Sequence, residues 1–130
     1  MANRTFDNVQ ALNKEVKVIS GQILASDPLT DPDNLSWANT EGIGFSADSN
    51  GNTGEIVITL QDNYVGLLSC TTNSLTATGI EYQTLLAEDV ESTTSPGVTL
   101  QNIDGAGAKG NLAAGDIVFF TLVLRNSTVQ

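Results

Sequence analysis

The chain has 130 residues, about one domain's worth, of which 40% are hydrophobic and 15% charged. Fifteen acids against five bases leave a formal net charge of -10, which argues against nucleic acid and anionic membranes as partners. A single cysteine, Cys70, excludes an internal disulfide, and the absence of histidine removes the commonest general base, most zinc sites and every Ser-His or Cys-His pair.

In chain order, residues 1–15 read as an extended N-terminal arm, and residues 16–130 as a single β domain. Three of the five bases, Arg4, Lys14 and Lys17, fall in the first 17 residues, ahead of a strongly acidic body. Two readings of that asymmetry stand: an arm that docks on a negatively charged surface, or a terminus with ordinary charges. "MANRTFDNVQ" has no apolar core of a secretory signal, and no run approaches the ~20 residues of a membrane span. The expectation is a protein made in a cytoplasm that stays soluble.

"VKVISGQIL" (Val16–Leu24) is the first predicted strand. "ASDPLTDPDN" is a loop, because its prolines and aspartates resist ladder pairing. A short strand is predicted around Ile43–Ser46, with Trp37 packing the preceding loop onto the core. Asn50–Gly51 predicts a type I′ hairpin turn, with the hairpin running from about Gly42 to Leu60. In its second strand Ile56, Ile58 and Leu60 face in, while Glu55, Val57, Thr59 and Gln61 take the wetter side. "YVGLLSCTTNSL" and "IEYQTLLAEDVE" read as two more strands, or as a strand and a short helix-like turn. "SPGVTLQNID" is a strand, and "GAGAKGNLAAG" a loop.

"DIVFFTLVLRNSTVQ" ends the chain with a strand whose two faces are both apolar until Arg125. Its second face needs a cover, and two remain open: a neighbouring subunit, or a loop such as Asp27–Trp37. Some seven short strands separated by Gly, Asn and Pro signify an all-β fold, an antiparallel β-sandwich or jelly-roll-like barrel with an extended N-terminal arm.

Motifs for chemistry are weak. "GAGAKG" spells G-x-G-x-x-G at Gly105, Gly107 and Gly110, but a dinucleotide site needs a helix after it, and a strand follows here. Asp27, Asp31 and Asp33 are weak candidates for a calcium site, against the simpler reading that they shape turns. Asp62, Glu81, Glu88, Asp89 and Glu91 supply carboxylates, yet nothing singles out a catalytic pair. The expectation is a protein that is not an enzyme and has no cofactor.

Three stretches, "NRTFDNVQALNKEVKVISG", "GEIVITLQDNYVGLLS" and "GDIVFFTLVLRNSTV", resemble a group of small structural proteins of tailed bacteriophages. The middle stretch is similar to that group's G-x-[FY]-x-[VI]-T-L-x-D-x-Y-x-x-L-L pattern. Gly54, Ile58, Thr59, Leu60, Asp62, Tyr64, Leu67 and Leu68 carry it, and Ile56 departs from the usual aromatic. The last stretch resembles the group's apolar strand closing in L-R-N-S-[ST]-V, at Leu124 to Val129. The resemblance implies a virion protein on the capsid surface, made in the host cytoplasm. Its implied role is a capsid decoration (cement) protein that binds the major capsid protein, and its implied state is a homo-oligomer, a trimer in the favoured version. The interface candidates are Arg4 and Phe6 in the arm, and Phe119 and Phe120 in the last strand. Alternatives of the same fold are a tail, neck or head-fibre component, or a carbohydrate-binding β-sandwich module.

Overall fold

The computed structural model describes residues 16–25, 39–77 and 79–126. Their strands are β1 (Val16–Leu24), β2 (Asn39–Gly42), β3 (Phe45–Asp48), β4 (Glu55–Leu60), β5 (Gly66–Leu75), β6 (Ile80–Asp89), β7 (Gly97–Asp104) and β8 (Ile117–Arg125). They form two four-stranded sheets, ordered β2-β1-β8-β5 and β3-β4-β7-β6, and every ladder is antiparallel. The architecture is a β-sandwich. The expected arm, the aspartates of "ASDPLTDPDN" and Trp37 lie outside the described residues.

The period-2 pattern builds the core. Ile19 and Ile23 of β1, Ile56, Ile58 and Leu60 of β4, Val98 and Leu100 of β7, and Val118, Leu122 and Leu124 of β8 are all buried between the sheets. Burying one such side chain is worth about 1.5–3 kcal/mol relative to leaving it exposed. Phe120 of β8 meets Phe45 of β3 edge-on, with ring centroids 4.7 Å apart and planes at 86°, a contact that runs from one sheet to the other. Of the residues that carry the middle stretch of the resemblance, Ile58, Leu60 and Tyr64 are buried and Leu67 packs against them, whereas Asp62 and Leu68 are exposed.

Two local expectations are corrected. The strand expected around Ile43–Ser46 is β3, two residues later at Phe45–Asp48, and an unexpected strand, β2, precedes it; at Ile43–Gly44 the chain leaves the first sheet and enters the second. Gly42 and Gly44 have φ of 133° and 95°, a region that disfavours side chains, and between them Ile43 stands 88% exposed. The hairpin of β3 and β4 exists, with Phe45 opposite Leu60 and Asp48 opposite Val57, but its turn is not type I′. A type I′ turn needs positive φ at both central residues, and Asn50 does not have it. Asn50 instead accepts the Asn52 N–H at 3.0 Å and donates its own amide to Glu55 Oε1 at 2.9 Å. These bonds hold a wider loop, which covers Glu55 and Gln101. Glu55, expected on the wet side, is buried for that reason.

The glycine-rich segment between β7 and β8 is a loop, as expected. Asp104 Oδ1 accepts the N–H groups of Ala106 and Ala108, both at 2.9 Å. Those are donors that a phosphate would need, so a carboxylate already occupies the turn.

Candidate functional site

Strand β8 is central in its sheet, paired to β1 on one side and β5 on the other. One face of it is core, and the other forms the middle of the outer surface of that sheet. Register assigns the surface in five rows across β1, β8 and β5: Leu24–Ile117–Leu75, Gln22–Phe119–Asn73, Ser20–Thr121–Thr71, Val18–Val123–Ser69 and, at one end, Val16–Arg125–Gly66. None of the twelve side chains of the first four rows is ionisable at neutral pH, in a chain whose net charge is -10, and Arg125 puts one cation at the end of the face. Val18 is 58%, Leu75 65% and Phe119 39% exposed. The Phe119 ring separates two shallow depressions, one toward Ser20 and Gln22 and the other toward Thr71 and Asn73. Charge-depleted, partly apolar patches of this kind are typical of the centre of a protein interface.

The two phenylalanines singled out in the sequence therefore part ways. Phe119 lies on this surface, whereas Phe120 is 2% exposed and serves the core. Arg4, Phe6, Asp27, Asp31 and Asp33 lie outside the described residues. What marks the face is the pairing of three strands distant in sequence, which single-strand reading does not reach.

A second feature is the side of the sandwich where β5 and β6 lie. Each is the last strand of its sheet, and among the described residues each has one ladder partner only. A groove of about 360 Å³ between them is lined by Leu67, Leu68, Cys70, Leu85 and Glu88. Leu68 and Leu86 are the extra residues of two bulges, where Leu67/Ser69 step past Leu124/Val123 and Leu85/Ala87 past Leu100/Thr99. Bulges re-aim side chains, which explains why two leucines stand exposed in strands of otherwise regular period. Burial pushes the Cys70 thiol above its usual pKa, the opposite of what a nucleophile requires.

Inside the core, Gln83 Nε2 donates to Asn102 Oδ1 at 3.1 Å. Gln83 Oε1, Asn102 Nδ2 and Gln101 Oε1 are buried without a hydrogen-bond partner. The β6–β7 pair thus has a polar end to its core, while Gln101 ties the β3–β4 loop down by donating to Thr53 O at 3.0 Å.

Glu81 and Glu88 do not meet: they lie at opposite ends of β6, about 23 Å apart along a strand rising ~3.3 Å per residue. Asp62 and Glu91 sit in adjacent loops, tied by the bond from Tyr64 N–H to Val90 O at 2.8 Å. Among the described residues no three His, Cys, Asp or Glu side chains are grouped to hold a metal ion. No family model, curated protein or solved structure matches the chain.

Proposed function

We propose that this protein is a structural virion component, a capsid decoration protein that binds the assembled shell and strengthens the junctions between capsomers. The observation that carries the reading is the partly apolar outer face built on β1, β8 and β5, four rows of which carry no charge in an otherwise acidic chain. Those four rows gain free energy by leaving water and have no charge to desolvate. Its partners in this reading are the major capsid protein and further copies of the chain, with a trimer suited to a local threefold axis. The resemblance to phage structural proteins supports the same reading. A standard interface of ~1,600 Å², repeated over a shell, adds up to a large stabilisation.

The test is co-sedimentation of the purified protein with expanded, undecorated phage capsids. Saturable binding at a fixed ratio to the major capsid protein is expected, and Phe119→Lys is expected to weaken it by about tenfold or more, the effect of roughly 1.4 kcal/mol. Binding left intact by Phe119→Lys would remove the face from the reading, and no binding by the folded wild-type chain would remove decoration itself.

A second reading has one observation in its favour. In the row Gln22–Phe119–Asn73 an exposed aromatic ring is flanked by two neutral amides, an arrangement that suits a neutral sugar. Binding of oligosaccharides by the isolated protein, lost in Phe119→Ala, is what that reading expects.

A further inference from the structure

Of the eight large hydrophobic side chains that stand exposed among the described residues, four stand on β5 and β6 away from the outer face of the first sheet: Leu68, Tyr82, Leu85 and Leu86. The proposed function does not use this concentration. Strand β6 ends its sheet with ten residues and no proline or lysine along its length; of the devices that blunt an open edge it has two bulges and acidic side chains near its ends, which leave Tyr82–Leu85 regular. Its backbone has a ladder partner on the β7 side alone among the described residues. What it does carry is negative charge, at Glu81, Glu88 and Asp89, and no cation stands on either β5 or β6.

We propose that the β6 edge is a docking site for an extended segment of another protein, one that alternates aliphatic and basic side chains and adds to the second sheet as a further strand. Backbone pairing supplies the general attraction in such recognition, and pockets for alternate side chains supply the selectivity. Leu85 stands opposite Leu100 at the margin of the core and opens into the groove with Leu67 and Leu68, a seat for an aliphatic side chain. Glu81, Glu88 and Asp89 face the partner's lysines or arginines. The sign of the charge decides between occupants. A second copy of this chain, pairing β6 against β6, would set these acids against their own kind and bring together two bodies of net charge -10. A basic strand meets Glu81 near one end of β6 and Glu88 and Asp89 at the other.

The bulges limit the register. Glu81 and Leu86 are the extra residues, so the regular stretch of β6 runs from Tyr82 to Leu85. An added strand gains its best ladder there. The inference does not rest on the virion reading and stands or falls separately from it.

The experiment is amide hydrogen exchange and chemical-shift mapping on the full chain, first alone and then with a synthetic capped peptide of about eight residues alternating Lys and Val. In the free protein, β6 amides not bonded to β7 are expected to exchange fast at every protein concentration. The peptide is expected to shift resonances along Tyr82–Asp89 and to slow that exchange. A peptide with Glu in place of Lys is expected not to bind. A peptide with the same lysines and Pro in place of alternate Val keeps the charge and loses the ladder, so its affinity is expected to fall by about tenfold or more, as is that of the wild-type peptide for Leu85→Lys. Should Leu85→Lys fail to fold, the double variant Glu81→Gln, Glu88→Gln serves, and weaker binding is expected there too.

Four results would overturn the proposal: β6 amides protected at all concentrations (the chain covers its own edge), protection that grows with concentration (a second copy does), equal binding of the proline peptide (charge alone), or no binding of the Lys-Val peptide.

Discussion

Asp116 is a buried carboxylate with a structural task. Its Oδ1 accepts the Ala77 N–H at 3.1 Å and its Oδ2 the Ala113 N–H at 2.9 Å, which ties the β5–β6 turn to the loop that enters β8. Removing it leaves two part-buried N–H groups without their acceptor. Asp116→Ala is expected to cost about 1–3 kcal/mol in all, read as a lower midpoint in urea unfolding. Cys70 gives a residue-scale test by pH. Burial favours its neutral thiol in the fold, so at a given alkaline pH the folded chain holds less thiolate than a free cysteine. Alkylation by iodoacetamide is expected to be slower in the folded than in the urea-unfolded protein, with its midpoint at higher pH. By the same linkage, the thiol's contribution to stability is intact below the free-thiol pKa and declines as pH rises through the folded one. Tyr64 follows the same sign further up the scale, raised first by burial and then by the charge of Asp62.

Among the elements, the β4–β7 ladder depends on one close approach. Gly97 pairs with Thr59, and a Cβ there would overlap the Ile58 carbonyl oxygen. Backbone cannot swing aside as a side chain does, so Gly97→Ala is expected to destabilise by about 1–3 kcal/mol, the usual range for overpacking. A Tm unchanged within error would refute the close packing of this pair. Strand β8 offers the complementary contrast. Phe120→Ala removes a core ring and is expected to cost about 3–5 kcal/mol, whereas Phe119→Lys, on the outer face, is expected to cost less than ~1 kcal/mol of stability while weakening docking by about tenfold or more. Equal losses from the two in thermal or urea unfolding would contradict the assignment of faces. The alternation of β1, β4, β7 and β8 was readable from the chain because each places its apolar residues two apart. The bulges at Leu68, Glu81 and Leu86 were not, since an extra residue in one strand is defined only against its partner.

At the scale of the molecule, the formal charge of -10 on a 13.6 kDa body is a standing self-repulsion. Salt shortens its range, from a Debye length of about 10 Å at 0.1 M to ~3 Å at 1 M. Raising sodium chloride over that interval is expected to lift the Tm by a few degrees, and a fall would point to ion pairs that outweigh the repulsion. The charge is also unevenly laid. Four outer rows across β1, β8 and β5 carry none, while β6 carries three acids and no cation, so the two exposed surfaces suit partners of different chemistry: a neutral interface on one, a basic strand on the other.

The chain by itself determined an all-β protein, the bounds of β1, the apolar stretch that holds β8, and the inward set Ile56, Ile58 and Leu60, because strand periodicity is a local property of consecutive residues. It also determined that β8 has two apolar faces. Only the tertiary structure decided what those faces meet: Phe120 crosses to Phe45 in the opposite sheet, and Phe119 joins Gln22 and Asn73 in one row on the surface. The same holds for the Asn50–Gly51 turn, where a tight local preference gave way to Asn50 reaching Glu55. Residues distant in the chain become neighbours only through strand pairing and sheet packing, and those are properties of the whole fold.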